Sequence, residues 1–99
     1  MSGWIVLRDL WKDFITCDGK RIEIQGGFRG FKNIPAGKHS VENYGASQEF
    51  VIEVGEVHVY VLNTERKVFT RLLEKDDDFG FHQLAKSGAM NHALQDWPA

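Results

Sequence analysis

The sequence has one cysteine, two prolines and no long apolar run, and each scarcity closes off a class of protein. A lone thiol, Cys17, cannot form an intrachain disulfide or a zinc site built from several cysteines, which fits a reducing compartment. No stretch approaches the roughly 18 consecutive apolar residues of a transmembrane helix, and Met1-Ser2-Gly3-Trp4 lacks the basic segment and apolar core of a secretory signal. The expectation is a soluble, cytoplasmic protein with no membrane partner. Neither sign of charge is in excess: 12 Lys and Arg face 14 Asp and Glu, leaving −2 with His neutral. Binding to a polyanion through bulk charge is thereby disfavoured. A chain of 99 residues buries only about 60–70% of its unfolded surface, so 1–99 reads as one domain with a single core.

What the sequence does hold is turns. Asp18-Gly19 can supply the two positive-φ residues of a type I′ turn, which places Ile15 opposite Ile22 and Thr16 opposite Arg21. Pro35-Ala36-Gly37 is expected to join the run ending at Ile34 to a strand from His39 to Tyr44. The glycines of Gly26-Gly27-Phe28-Arg29-Gly30 suggest a bent strand or irregular loop before it. Phe50 to Val54 and Val57 to Leu62 read as two strands joined at Gly55-Glu56, with Val54 opposite Val57, Glu53 opposite His58 and Val51 opposite Tyr60. Phe50, Ile52, Val54, Val57, Val59 and Val61 then share one face. Val51, Tyr60 and Leu62 lie on the other, beside the Glu53 and His58 pair, and a face that is only half polar calls for a cover. Asn63-Thr64-Glu65-Arg66 supplies a further turn before a last strand, 67–72.

Beyond Asp76-Asp77-Asp78 the period changes. The acidic run caps a helix well, and Phe81, Leu84 and Ala85 share one face while Met90, Ala93, Leu94 and Trp97 share another. Ser87-Gly88 lies between them, so two short helices or one bent helix is expected over about 78–96. The fold class is mainly β, a compact antiparallel sandwich or barrel of about seven strands, the first at Trp4 to Leu7, with that helical segment at the C-terminus.

Candidate chemistry is sparse. His39, His58, His82 and His92 are not spaced as a pair on a helix face or across a hairpin, so no metal is expected. Cys17 has Lys20 and Arg21 close by, but reads as a small residue at a hairpin end. Asp78-Phe79-Gly80 spells a kinase metal-binding triplet without the other kinase motifs, and is a chance match. Phe28, Arg29, Phe31 and Lys32 alternate aromatic and basic residues as single-stranded nucleic acid platforms do, against a slightly acidic whole. Trp11 and Tyr60 could serve core or interface, and Trp97 is expected to dock on this domain.

The stretch Phe28-Arg29-Gly30-Phe31-Lys32-Asn33-Ile34-Pro35-Ala36-Gly37-Lys38-His39 resembles a segment near the start of the assembly factors of the U5 small nuclear ribonucleoprotein. There a Phe-Arg-Gly, a Lys, an Ile-Pro, a Gly and a His stand at matching spacing, and the likeness extends over roughly 14–64. The resemblance implies the β-rich N-terminal domain of a non-enzymatic spliceosomal assembly factor, free-standing and without the helical domain that follows it in that family. Within the shared segment Gly30, Ile34, Pro35 and Gly37 read as architecture, whereas Arg29 and His39 are left for a ligand or an internal polar pair.

The reading is therefore a protein-interaction module without enzymatic activity or cofactor, binding a protein partner or a second copy through Val51, Tyr60 and Leu62. Its rivals are a small-molecule-binding or enzymatic barrel, in which Arg29, His39, Glu53 and His58 would converge on one pocket, and a weak single-stranded nucleic acid binder.

Overall fold

Asp18 and Gly19 both take positive φ, 48° and 82°, and close a two-residue turn between β2 (Phe14–Cys17) and β3 (Lys20–Glu23). Ile15 pairs with Ile22 and Thr16 with Arg21, as the residue types dictate. The computed structural model describes residues 2–11 and 13–98. The remaining strands are β1 (Ser2–Arg8), β4 (Gly30–Pro35), β5 (Gly37–Asn43), β6 (Ala46–Ile52), β7 (Val57–Asn63), β8 (Val68–Leu72) and β9 (Leu94–Asp96). They form two sheets, ordered β8-β7-β1-β4-β9 and β3-β2-β5-β6. The fold is a mainly β sandwich with a C-terminal helical segment.

Three details differ from expectation, two of them in the sheets. The larger sheet is mixed, because β1 runs parallel to β7 and β4 parallel to β9. More consequentially, residues 50–62 do not form a hairpin: β6 pairs with β5 in one sheet while β7 pairs with β1 and β8 in the other. The reason lies in the turn. Glu53 to Glu56 is closed by the Glu56 amide on the Glu53 carbonyl at 3.0 Å. Positive φ falls on Gly55, at 82°, the second of the two central residues. That is the type II arrangement, which splays the flanking strands, whereas the expected pairing needs positive φ at the first position. The Trp4 amide then takes the Glu56 carbonyl at 2.9 Å and draws the chain into the other sheet.

Strand β7 is consequently covered on both sides. Tyr60 and Leu62 join Ile5, Leu7, Phe31, Phe50, Ile52 and Trp97 between the sheets. Val57 and Val59, with Val6, pack outward against Ala85, Met90 and Leu94. Helix α1 (Phe81–Ser87) supplies that outer layer and ends at Gly88, whose φ of 85° fits the left-handed cap glycine favours. Asp77 caps its start, accepting the His82 amide at 2.8 Å. The expected helical segment is thus shorter than 78–96: a 3₁₀ turn, Asn91–Ala93, follows, and β9 replaces its end. Trp97 docks on this domain, edge-on to Phe31 at 5.1 Å.

Gly30 explains how β4 can lie so close to β1. A Cβ there would stand 2.0 Å from the Ile5 carbonyl oxygen. Only glycine permits this approach.

Candidate functional site

The seven residues singled out in the sequence do not form one site. Val51 is 63% exposed on β6, while Tyr60 and Leu62 are each 3% exposed on β7 in the opposite sheet. The outer apolar face expected from their alternation is therefore corrected: its cover is the other half of the sandwich. Burial raises the Tyr60 hydroxyl above its ordinary pKa.

The four polar residues separate as well. Glu53 is exposed in the 53–56 turn, where its amide donates to Glu56 Oε1 at 2.7 Å. His58 is buried and its carboxylate neighbour is Glu56, with Nε2 at 3.4 Å from Oε1, not Glu53. Its Nδ1 is 3.3 Å from the Tyr60 hydroxyl. Burial, helped by the positive charge of Arg71, lowers the imidazole below its usual pKa despite the opposing pull of Glu56. His39 belongs to an internal pair, its Nδ1 2.6 Å from Asp18 Oδ2 and its Nε2 2.7 Å from the Pro35 carbonyl oxygen. Burial pulls the Asp18 carboxyl upward, but hydrogen bonds from His39, the Ser40 amide and the Trp97 side chain outweigh it and hold the group below its ordinary range. Cys17, beside it, is buried and pushed up to about 12 by desolvation and by Asp18, which leaves it an inert thiol.

The twelve residues from Phe28 to His39 thus divide sharply. Phe28 packs edge-on to Phe31 at 5.1 Å, and Phe31 is fully buried, so neither ring is a free stacking platform. Gly30 abuts β1, Ile34 is core, the Pro35 carbonyl holds His39, and Lys38 pairs with Glu49 at 2.9 Å. Arg29 is different. Its backbone ties Leu7 and Ala93 at 2.8 Å each, yet its exposed side chain makes no ion pair with the described residues.

Arg29 stands at the end of the sandwich where the segments 9–11, 24–29, 44–45 and 64–67 gather beside Asp13. A tilted aromatic pair sits there that sequence reasoning did not find. Trp11, 53% exposed, lies with its ring centroid 4.7 Å from that of Tyr44, 45% exposed. Lys67 Nζ is 5.7 Å from the Tyr44 ring, within cation–π range. Buried Asn43 fixes this arrangement: its Oδ1 accepts the Trp11 amide at 2.8 Å, and its Nδ2 donates to the Trp11 and Phe14 carbonyls at 3.0 and 2.8 Å. The signal for it was Tyr44-Gly45. Both take positive φ, 50° and 77°, and turn β5 into β6, presenting Tyr44 at the tip. Asp9, Asp13 and Lys67 at the same end also hold positive φ, a conformation that costs a residue with a side chain about 1–3 kcal/mol when strained.

Among the described residues no group of three or more His, Cys, Asp or Glu is placed to hold a metal ion, and no helix is long and apolar enough to cross a membrane. No family model matches the sequence, and no curated protein matches it either.

Proposed function

We propose that this chain is a non-enzymatic interaction module, acting in the cytoplasm, that docks a protein partner through Trp11 and Tyr44 at the loop end of the sandwich. The observation that carries the reading is how that exposed pair is held: Trp11 is tied through its backbone to buried Asn43, and its ring lies against Tyr44 with centroids 4.7 Å apart and planes tilted by 34°. Trp, Tyr and Arg are the residues that most often dominate binding energy at interfaces, and a ring already held in place loses little entropy on docking. A non-enzymatic role is supported by the histidine geometry. Both ring nitrogens of His39 are engaged inside the domain, one against Asp18 Oδ2 at 2.6 Å and the other against the Pro35 carbonyl oxygen at 2.7 Å. The likeness of Phe28 to His39 to the spliceosomal assembly factors favours the same class of role, and we propose shared descent of the β domain on that basis.

The test is affinity capture from the native host with the wild-type chain and with Trp11→Ser/Tyr44→Ser, followed by binding of the identified partner in purified form. Loss of both anchors is expected to weaken binding by at least about 30-fold, the equivalent of one strong interface contact. Equal affinity of the two forms for the purified partner would remove the reading. A second copy of this chain as the partner would appear as a dimer in sedimentation that the double variant dissociates.

A further inference from the structure

Beside the aromatic pair a cleft of about 850 Å³ opens, lined by Asp9, Asp13, Arg21, Glu23 and Arg29 above the apolar side chains of Leu7, Leu10, Ile24 and Phe28. Three carboxylates and two guanidiniums share this space. None of the five forms an ion pair with a described residue. Arg21 turns aside to lie 3.7 Å from the centre of the Phe14 ring, leaving Arg29 as the guanidinium free of a partner among the described residues. Opposite charges lining one cleft ordinarily satisfy each other. Here no ion pair joins any of them to a described residue, so among the described residues each sign is presented and neither is answered.

The composition discriminates among ligands. A polyanion bound to Arg29 would meet Asp9, Asp13 and Glu23, and a polyamine bound to those would meet Arg29 and Arg21, each at a cost in like-charge repulsion. A ligand carrying one charge of each sign meets neither penalty. We propose that the cleft binds a short zwitterionic peptide, its ammonium among Asp9, Asp13 and Glu23, its carboxylate on Arg29 and its aliphatic side chains on the apolar floor. Arg suits the carboxylate because its planar fork can donate two parallel hydrogen bonds. The volume lies within the range of ligand sites, and is ample for a few residues. Gly26 and Gly27 form part of the wall, with no atom within 4 Å of where a Cβ would stand on either, so a peptide backbone can approach the chain closely. Neither Trp11 nor Tyr44 lines this cleft.

The experiment is an NMR titration of the full, isotope-labelled chain with three probes. These are the tripeptide alanyl-leucyl-alanine, its N-acetyl form, which lacks the ammonium, and its C-terminal amide, which lacks the carboxylate. The free tripeptide should shift the amides of Gly26, Gly27 and Arg29 at millimolar concentration or below. Each blocked form should bind at least about tenfold more weakly. Arg29→Gln should abolish discrimination against the amide while keeping that against the acetylated form. Asp9→Asn/Asp13→Asn should do the reverse, asparagine being chosen because it tolerates the positive φ of these positions. The cleft's discrimination among the three probes is read on the wild-type chain without any partner protein, so failure here is distinct from failure of the docking reading. No shift in the cleft, equal binding of the three probes, or unaltered discrimination in a folded Arg29→Gln protein would each overturn the proposal.

Discussion

His39 donates from Nδ1 to Asp18 Oδ2 at 2.6 Å, binding the turn between β2 and β3 to strand β5. The same carboxylate accepts the Ser40 amide at 2.8 Å, and the Trp97 side chain hydrogen-bonds to it as well. A segment just past β9 is in this way held to the smaller sheet, across the core from the strand that β9 extends. The arrangement converts a surface carboxylate into a fastener between the two halves of the sandwich.

Asp18→Ala is therefore expected to cost about 1–3 kcal/mol of unfolding free energy, the range for removing charge-assisted hydrogen bonds and leaving their donors unmatched. Because water reaches the site, the lower half of that range is favoured. Urea unfolding with an unchanged slope would register it. A loss indistinguishable from that of a surface control such as Glu65→Ala would show that the fastener is ornamental.

Acid should loosen the same contacts. The folded-state pKa of Asp18 lies below the ordinary 3.8, as does that of Asp77, whose carboxyl is drawn up by burial but held down by the His82 amide and ring. For a depressed group the stabilisation is complete above the unfolded pKa and disappears as pH falls through the folded one. Stability is expected to drop below about pH 4, and Asp18→Asn should reduce the steepness of that drop. Acid titrations of both proteins, followed by circular dichroism, compare them directly; superimposable profiles would contradict the assignment.

Gly30→Ala should be among the most damaging single substitutions available. The new methyl would meet the Ile5 carbonyl at 2.0 Å in the middle of the larger sheet, so β4 must move away from β1. Overpacking of this kind costs about 1–3 kcal/mol, and the positive φ adds about 1–3 more. Gly27→Ala is the matched control: its φ is also positive, at 86°, but nothing lies within 4 Å of the new carbon. It carries the backbone cost alone. Thermal melts that rank the two equally would mean that the β1 and β4 backbones yield more easily than their spacing implies.

These residues also mark how far the sequence could be read. The Asp18-Gly19 turn was legible with its register, because a two-residue turn with two positive-φ positions permits one pairing only. The alternation of Tyr60 and Leu62 against Val57 and Val59 was legible too, but not which layer would cover each side. That depended on Gly55 occupying the second turn position and splaying the strands, which the letters Gly-Glu do not decide. Parallel pairing of β1 with β7 was hidden for a related reason: its partners are some fifty residues apart and no local signal joins them, as Trp4 with Val57 illustrates. Arg29 was visible as a residue without an architectural duty. Trp11 and Tyr44 were not visible as a pair, since it is the buried Asn43, bonded to the Trp11 and Phe14 backbone, that joins their loops.

His58 makes stability depend on pH nearer neutrality. It is 2% exposed, faces Phe50 and Tyr60, and its pKa is depressed below the ordinary 6.5 chiefly by burial. Unfolded chains therefore take up a proton there before folded ones do. The sign follows: stability is full above pH 6.5 and falls as pH drops from that value toward the depressed folded pKa. His58→Phe should flatten the melting temperature between about pH 6.5 and pH 5 while leaving the drop near pH 4 in place. Retention of the same slope in the variant would assign it to another group.

Asn43→Ala tests whether the aromatic pair is fixed from beneath. The side chain is 3% exposed and its amide serves the Trp11 amide and the Trp11 and Phe14 carbonyls. Its removal strands those groups, at about 1–3 kcal/mol for whichever of them water cannot reach. Trp11→Ala removes an exposed ring instead, and should cost under about 1 kcal/mol. The two variants therefore separate stability from docking. Asn43→Ala should lower the melting temperature and broaden the Trp11 indole resonance as the loop samples other positions. Trp11→Ala should leave the melt nearly unchanged and weaken partner binding alone. An Asn43→Ala protein whose Trp11 resonance keeps its position and width would show that the tilted contact with Tyr44 orders the loop by itself, and what holds the platform would then be the ring contact at 4.7 Å rather than the buried amide.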